Sequence, residues 1–255
     1  MAYYRPRLIG GSLDAGVMPN TGLAIFFGVL LTLTCLGVAI GFAVFGGDVY
    51  KQIKRATVYL IVDGDTFGSG VIIREDGYVL TAAHVVKGGD ATEIMAVLFS
   101  GTKKAETVRA LPTEHVGKPG LPTPDQIGKD YALLKLEADP PLPFLRVIGS
   151  EAATEGTKIF LAGFPMGPGL QTSKYGPNVS IEPGHIKTVM RGGEHGVVAF
   201  NTDAEGVPGM SGGPCTNDRG EVIGLISMGS QAGAAHLVLP TSRFTHVWEP
   251  LMGGS

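Results

Sequence analysis

The distribution of apolar and polar residues divides the chain into two parts. Between Gly22 and Gly47 no residue carries a charge, whereas the rest of the chain alternates short apolar runs with turn residues. A helix rises about 1.5 Å per residue, so about twenty such residues cross a hydrocarbon core about 30 Å thick. The pattern therefore predicts an N-terminal tail over 1–21 and a transmembrane helix over 22–47. A buried core helix and a cleaved signal peptide are the alternatives.

The charges that flank the apolar segment do not decide its orientation. Two arginines precede it, and three basic residues follow it closely, at Lys51, Lys54 and Arg55. Positive charge favours the cytoplasmic side of a span, but this rule governs short loops rather than a long following domain. Charge alone therefore leaves the membrane topology open.

From residue 48 onward the apolar runs have the length of β-strands. Strong hairpin signals occur at Asp76-Gly77 and at Asn217–Gly220. Without long amphipathic helices between the runs, this spacing favours an all-β sandwich or barrel. The runs with the clearest strand pattern are 58–62, 70–73, 78–80, 95–99, 131–136, 158–162 and 222–226.

Two segments of this second part have a different pattern. Thr241–Met252 carries four large apolar side chains at helical spacing, which predicts a short C-terminal helix. Lys103–Lys129 is polar and rich in proline and glycine, which predicts a loop-dominated insertion. We therefore assign residues 48–255 to one domain, all-β apart from its closing helix.

Composition excludes several classes of function. A formal net charge of -3 leaves no whole-chain basic surface for nucleic acid. The two cysteines, Cys35 and Cys215, are too few for a disulfide framework or a four-ligand zinc site. We interpret Cys215 as a small buried apolar group rather than a second nucleophile. No cofactor and no metal ion are expected.

Three short strings carry candidate chemistry. They are TAAHVV, which contains His84; KDYALL, which contains Asp130; and GMSGGP, which contains Ser211. Acyl transfer from an amide needs a nucleophile, a nearby base and a carboxylate that fixes the tautomer of the base. It also needs donors for the developing oxyanion, and Gly209 lets the backbone turn so that N–H groups point there.

Taken singly, these strings have other interpretations. His84 alone fits a structural histidine, Asp130 alone fits a turn residue, and the glycine-flanked Ser211 alone fits a turn or a phosphate-binding loop. The order His, Asp, Ser in a β-rich chain, each beside an apolar strand, favours a catalytic set. The sequence therefore predicts nucleophilic catalysis by a serine.

The three strings resemble the catalytic motifs of trypsin-like serine proteases, and more closely those of the HtrA/Deg family. Residues 68–86, GSGVIIREDGYVLTAAHVV, are similar to the HtrA histidine region over their whole length. KIFLAGFP at 158–165 and GEVIGLI at 220–226 also resemble HtrA segments. The resemblance covers about residues 55–248. It implies a chymotrypsin-like fold of two six-stranded antiparallel barrels, with the catalytic residues in the cleft between them.

The resemblance also implies a role for each matching residue. Ser211 would be the nucleophile, His84 the general base and then the general acid, and Asp130 the carboxylate that orients His84. The N–H groups of Gly209 and Ser211 would form the oxyanion hole.

Two further positions concern the substrate. Ser227-Met228-Gly229 matches the Ser-Trp-Gly strand of the family, which implies pairing with the substrate backbone by β-addition. Glu205, counted back from Ser211, occupies the place of the trypsin acid that selects Lys or Arg at P1. The alternative is that Glu205 points to solvent, because HtrA enzymes favour small aliphatic side chains.

The function implied is that of a membrane-anchored serine endopeptidase that acts on polypeptides, with protein quality control as its setting. The resemblance favours an exported protease domain, on the periplasmic or extracellular side, and homo-oligomers are common in the family. No nucleic-acid partner and no PDZ domain are expected. The alternatives are a catalytically latent binding protein with a protease fold and a chaperone-like protein.

Overall fold

The computed structural model of the protein describes five ranges, which are residues 48–118, 128–170, 173–192, 196–229 and 236–253. The predicted tail over 1–21 and the predicted transmembrane helix over 22–47 lie outside these ranges. Within the described ranges, no helix is both long enough and apolar enough to cross a membrane. The strands of the described part form two closed six-stranded antiparallel barrels.

The first barrel has the spatial strand order β1-β2-β3-β6-β5-β4. Its strands are β1 (Thr57–Val62), β2 (Thr66–Ile72), β3 (Tyr78–Thr81), β4 (Ile94–Leu98), β5 (Glu106–Val116) and β6 (Ala132–Leu136). Side chains alternate between the two faces of a strand. Along β1, Val58, Leu60 and Val62 therefore fill the barrel interior, while Tyr59 packs on the outer face against Phe164.

The second barrel has the spatial strand order β10-β11-β12-β9-β8-β7. Its strands are β7 (Lys158–Gly163), β8 (Ser180–Arg191), β9 (Val197–Thr202), β10 (Pro214–Thr216), β11 (Val222–Gly229) and β12 (His236–Pro240). Ile159, Leu161, Phe200 and Val238 are buried in its core. Cys215 is fully buried in the same cluster, and burial raises the pKa of its thiol. The interpretation of Cys215 as an apolar core residue is confirmed.

A third apolar cluster joins the two barrels and two helices. Leu80 and Leu133 enter it from the first barrel, and Leu225 enters it from the second. Helix α1, which covers residues 48–56, contributes Ile53. Helix α2 (Thr245–Met252) follows a 3-10 turn at Thr241–Arg243 and contributes Trp248. This cluster fixes the position of one barrel against the other, and the predicted C-terminal helix is confirmed.

The prediction for Lys103–Lys129 was wrong in its first half. Strand β5 occupies Glu106–Val116 and closes the barrel between β4 and β6. The apolar pattern of β5 is weak, because only Val108 and Ala110 are buried while its other residues are exposed or half-buried. Its pairing with β6 is also irregular after Pro112. A strand held mainly by pairing with its neighbours leaves little trace in hydropathy.

Candidate active site

Strand pairing in the first barrel brings His84 and Asp130 together. Strand β3 pairs antiparallel with β6, and Thr81 at the end of β3 lies opposite Ala132 at the start of β6. His84 follows β3 closely and Asp130 precedes β6, so both residues lie at the same end of this strand pair. The Asp76-Gly77 turn between β2 and β3, with Gly77 at φ 95°, determines where β3 begins.

The carboxylate of Asp130 makes three hydrogen bonds with His84. The backbone N–H of His84 donates to Oδ1 at 3.0 Å, and ring Nδ1 lies 3.0 Å from Oδ1 and 2.8 Å from Oδ2. Asp130 is only 4% exposed. Burial by itself raises the pKa of Asp130, but the hydrogen bonds and charge of His84 and a hydrogen bond from Ser227 hold that pKa below its ordinary value.

Ser227 completes the surroundings of Asp130 from the second barrel. The register of β11 against β12 passes from Ile226 opposite Val238 to Met228 opposite Leu237, so Ser227 lies at a bulge. A bulge redirects a side chain from the regular pleat. The buried Ser227 hydroxyl accordingly donates to Oδ2 of Asp130. This role as a partner of the carboxylate was not predicted from the sequence.

Ser211 lies on a tight turn between β9 and β10, and two of its neighbours have to be glycine. Gly209 has φ 95°, and a Cβ there would approach the carbonyl oxygen of Phe164 to 2.4 Å. Gly212 has φ 81°, and a Cβ there would lie 2.1 Å from Oγ1 of Thr81. Met210 between them is 1% exposed and packs in the core of the second barrel. The turn is therefore held by close backbone packing and one buried apolar side chain.

Some N–H groups of this turn donate to carbonyl groups of the protein, and the predicted oxyanion donors are not among them within the described ranges. The N–H of Gly212 donates to the Ile226 carbonyl at 2.7 Å, and that of Gly213 donates to the Met210 carbonyl at 2.9 Å. Within the described ranges, the N–H groups of Gly209 and Ser211 donate to no carbonyl. This arrangement can offer two donors to an oxygen that approaches Ser211.

The Ser211 side chain is oriented towards β11. Its Oγ donates to the carbonyl oxygen of Ser227 at 3.4 Å, and no hydrogen bond joins it to His84 in the part of the chain described. Ser211 is half-buried, and the side chain of His84 is 38% exposed. Hydrogen bonds between nucleophile and base are often loose before substrate binds.

The remaining candidate residues lie on β11 and on the segment that precedes Ser211. Pairing between β10 and β11 ends where Pro214 lies opposite Leu225. Within the described ranges, Ser227-Met228-Gly229 pairs with β12 on one edge and with no strand on the other. Glu205 is exposed between β9 and β10, so its place on the floor of an S1 pocket stays a prediction.

Two antiparallel barrels with a His-Asp pair at the end of one and a glycine-flanked serine on the other define the chymotrypsin class of fold. Residues 68–225, more than half of the chain, match the family model described as Trypsin-like peptidase domain. The chain therefore belongs to the trypsin-like peptidase family.

Its relatives include HtrA- and DegP-type proteases, which confirms the resemblance inferred from the sequence. The chain is 37% identical to a probable periplasmic serine endoprotease, DegP-like, from Halomonas elongata, over 64% of this chain and 29% of that protein. It is 30% identical to mouse serine protease HTRA4, over 71% of this chain and 34% of that protein. The chain thus spans about a third of the length of these relatives.

A solved structure supports the same fold assignment. The crystal structure of the serine endoprotease from Yersinia pestis matches with a TM-score of 0.61 and 25% sequence identity. The match covers 81% of this chain and 66% of that chain.

Proposed function

We propose that this protein is a serine endopeptidase that hydrolyses peptide bonds through an acyl-enzyme on Ser211. The observation that carries the proposal is the buried Asp130, which binds both the ring and the backbone N–H of His84 beside the turn of Ser211. A carboxylate in that position serves to orient a histidine base and to stabilise its charged form. Membership of the trypsin-like peptidase family supports the same activity.

The roles follow from the chemistry of the Asp130 carboxylate, which when ionised can only accept hydrogen bonds. The proton between Asp130 and His84 is therefore carried by Nδ1 of His84, which leaves Nε2 as the acceptor. As Ser211 Oγ forms a bond to the scissile carbonyl carbon, its proton moves to Nε2 and the carbonyl oxygen becomes negative. Nε2–H then protonates the leaving nitrogen as the C–N bond breaks. Water repeats the sequence on the ester, which releases the acid and regenerates Ser211.

Binding of the substrate uses backbone groups of the second barrel. The N–H groups of Gly209 and Ser211 stabilise the oxyanion, and removal of one such donor typically costs about 2.7–4 kcal/mol in the transition state. The unpaired edge of Ser227-Met228-Gly229 accepts an extended polypeptide by β-addition. Because these contacts involve the backbone of the substrate, the proposed substrate class is unfolded or extended polypeptide, consistent with a role in protein quality control.

The proposed organisation is a tail over 1–21, a membrane anchor over 22–47 and an exported protease domain over 48–255. The uncharged segment supports the anchor, and a relative described as periplasmic supports export. A charge at the centre of a span costs about 2.5–3.5 kcal/mol. We therefore expect the protein to stay in the membrane pellet after alkaline carbonate extraction, while Leu31→Arg releases it.

The matched control for this extraction is Leu111→Arg, because Leu111 is 40% exposed on the first barrel. Release of the unaltered protein, or retention of Leu31→Arg, contradicts the anchor. Labelling of the domain in intact cells by a membrane-impermeant reagent tests export, and light scattering of the solubilised protein tests a homo-oligomer.

The second candidate function is a latent protease-fold protein that binds polypeptides, as a binding protein or a chaperone. One observation favours it: Ser211 Oγ donates its hydrogen bond to the Ser227 carbonyl rather than to His84. Labelling of the detergent-solubilised protein with a fluorophosphonate separates the two functions, with Ser211→Ala as the control. An adduct on Ser211 supports the endopeptidase, whereas polypeptide binding without an adduct supports the latent protein.

A further inference from the structure

Ser69 is a buried polar residue of the first barrel whose hydroxyl reaches the second. It lies in β2 and is fully buried. Its Oγ donates to the carbonyl oxygen of Gly209 at 2.7 Å and accepts the N–H of Phe164 at 2.9 Å. A hydroxyl has one proton to donate, and here that proton is directed at the turn of the nucleophile.

The backbone of Ser69 holds the same turn at a second point. Its N–H donates to the carbonyl oxygen of Ser211 at 2.8 Å. Its own carbonyl accepts Oγ1 of Thr81 at 2.7 Å, which ties this part of β2 to the end of β3. One residue of the first barrel therefore binds two carbonyl groups of the Gly209-Met210-Ser211 turn.

The two contacts of Ser69 fix the peptide units that follow Gly209 and Ser211, and these units adjoin the ones that carry the two oxyanion donors. A peptide unit is planar, so the direction of its carbonyl sets the opposite direction of the following N–H. The Pro208 carbonyl accepts the N–H of Met166 at 2.6 Å, which directs the N–H of Gly209. The Met210 carbonyl accepts the N–H of Gly213, which directs the N–H of Ser211.

The Gly209 carbonyl between these two points is bound by the hydroxyl of Ser69. Glycine is the residue with the widest range of backbone conformations, and Gly209 has φ 95°. The same conformational freedom allows Gly209 to adopt other backbone conformations, and these would change the shape of the turn. The Ser69 hydroxyl restrains the turn on the side of Gly209 that faces the first barrel.

We propose that Ser69 is a positioning residue of the oxyanion hole, which it holds in its donating conformation from the first barrel. The inference rests on the proposed endopeptidase function. Ser69 does not touch the reacting atoms, so its removal should weaken the chemical step rather than the binding of polypeptide. A misplacement of about 1 Å at a reacting group can cost about 100-fold in rate.

The test compares Ser69→Ala with Ser100→Ala in the full chain. Ser100 is a matched control, because it is also buried and its hydroxyl donates to a backbone carbonyl, that of Pro177, at 2.7 Å. With a fluorogenic peptide we expect Ser69→Ala to lower kcat by about 10- to 100-fold with little change in KM. Ser100→Ala should keep the kcat of the unaltered protein.

A second readout separates positioning from a merely structural link between the barrels. A peptide boronate places an oxygen in the oxyanion hole, so its affinity should fall in Ser69→Ala together with kcat. Binding of the same peptide without the boronate should be equal in Ser211→Ala and in Ser211→Ala/Ser69→Ala. Ser69→Cys, which keeps the branching of the side chain but replaces the hydroxyl with a larger and weakly donating thiol, should lower kcat in the same direction and serves if Ser69→Ala does not fold.

An unchanged kcat in a folded Ser69 variant overturns the inference. An equal fall of kcat in Ser100→Ala does so as well, and so does a rise in KM without a fall in kcat. Failure of the proposed function has a different signature, in which the unaltered protein neither hydrolyses the peptide nor labels with a fluorophosphonate. Ser69 then has no oxyanion hole to position, and both proposals fall.

Discussion

The two halves of the candidate site are built by different means. The His84–Asp130 half belongs to regular sheet, where the pairing of β3 with β6 aligns two strand ends and side-chain hydrogen bonds complete the contact. The Ser211 half belongs to an irregular turn, where backbone groups approach so closely that Gly209 and Gly212 have no room for a Cβ. The first half depends mainly on hydrogen bonds between side chains, and the second depends mainly on close backbone contacts at two glycines.

This difference indicates how each half can fail. In the first half we expect the loss of the Asp130 carboxylate or of the His84 ring to remove side-chain hydrogen bonds and to leave the strands paired. In the second half a single added methyl group changes the backbone that carries the nucleophile. Substitutions in each half test that contrast.

Removal of either chemical group should abolish turnover. We expect Ser211→Ala and His84→Ala each to lower kcat by about 10⁴-fold or more, because the nucleophile and the base act as a unit. The double variant should lose little beyond either single variant, as measured on a fluorogenic peptide. Losses that multiply in the double variant contradict the assignment of His84 as the base of Ser211.

A methyl group at Gly209 should damage the second half alone. Gly209→Ala places a Cβ 2.4 Å from the Phe164 carbonyl oxygen, so we expect a fall in kcat of about 100-fold or more, comparable to the loss of an oxyanion donor. Gly156→Ala is the matched control, since Gly156 has φ 84° and no atom within 4 Å of its Cβ position. The control should retain its activity, with a cost in the free energy of unfolding of about 1 kcal/mol.

Full activity in Gly209→Ala would mean that the turn can move without consequence for catalysis. Equal losses in Gly209→Ala and Gly156→Ala would attribute the effect to positive φ rather than to the close contact with Phe164.

The first half should make stability depend on pH. The pKa of Asp130 is lower in the folded protein than its ordinary value, so the unfolded chain binds the proton more readily. The stabilisation by ionised Asp130 is therefore complete above about pH 5 and is lost as the pH falls below about 4, towards the folded-state pKa. Urea unfolding from pH 7 down to pH 3 should show a steeper decline for the unaltered protein than for Asp130→Asn.

Other carboxylates titrate in both proteins, so the difference between the two curves isolates Asp130. Parallel curves would contradict a lowered pKa at this position.

Glu205 should give the smallest effect. Its side chain is exposed, which favours the alternative in which it faces solvent. We expect Glu205→Ala to change the ratio of Lys-ester to Val-peptide hydrolysis by less than about twofold, in line with a surface substitution. A selective loss of Lys-ester hydrolysis would instead place the carboxylate on the floor of the S1 pocket.

Much of this architecture was accessible from local patterns. The runs at 58–62, 78–80 and 222–226 were recognised as strands because both their hydropathy and their flanking turns are local properties. The C-terminal helix was recognised because its apolar spacing lies within one short segment. The three strings around His84, Asp130 and Ser211 were recognised for the same reason.

Other features depend on contacts between distant parts of the chain. Strand β5 has few buried side chains, and its place in the barrel comes from pairing with β4 and β6. The contact of Ser227 with Asp130 depends on a bulge whose position the hydropathy of β11 does not reveal. Ser69 is a small polar residue between two glycines of β2. Its position in this strand gives little local indication that it is buried.

The residue types of the site and the strands beside them could be recognised because each is encoded within a few neighbouring residues. The direction of the groups that lie between the barrels was decided only when the two barrels met, since the hydrogen bond from Ser69 to Gly209 joins residues 140 positions apart. Hydrogen bonds of that kind depend on angles between packed elements, and no pattern along the chain records those angles.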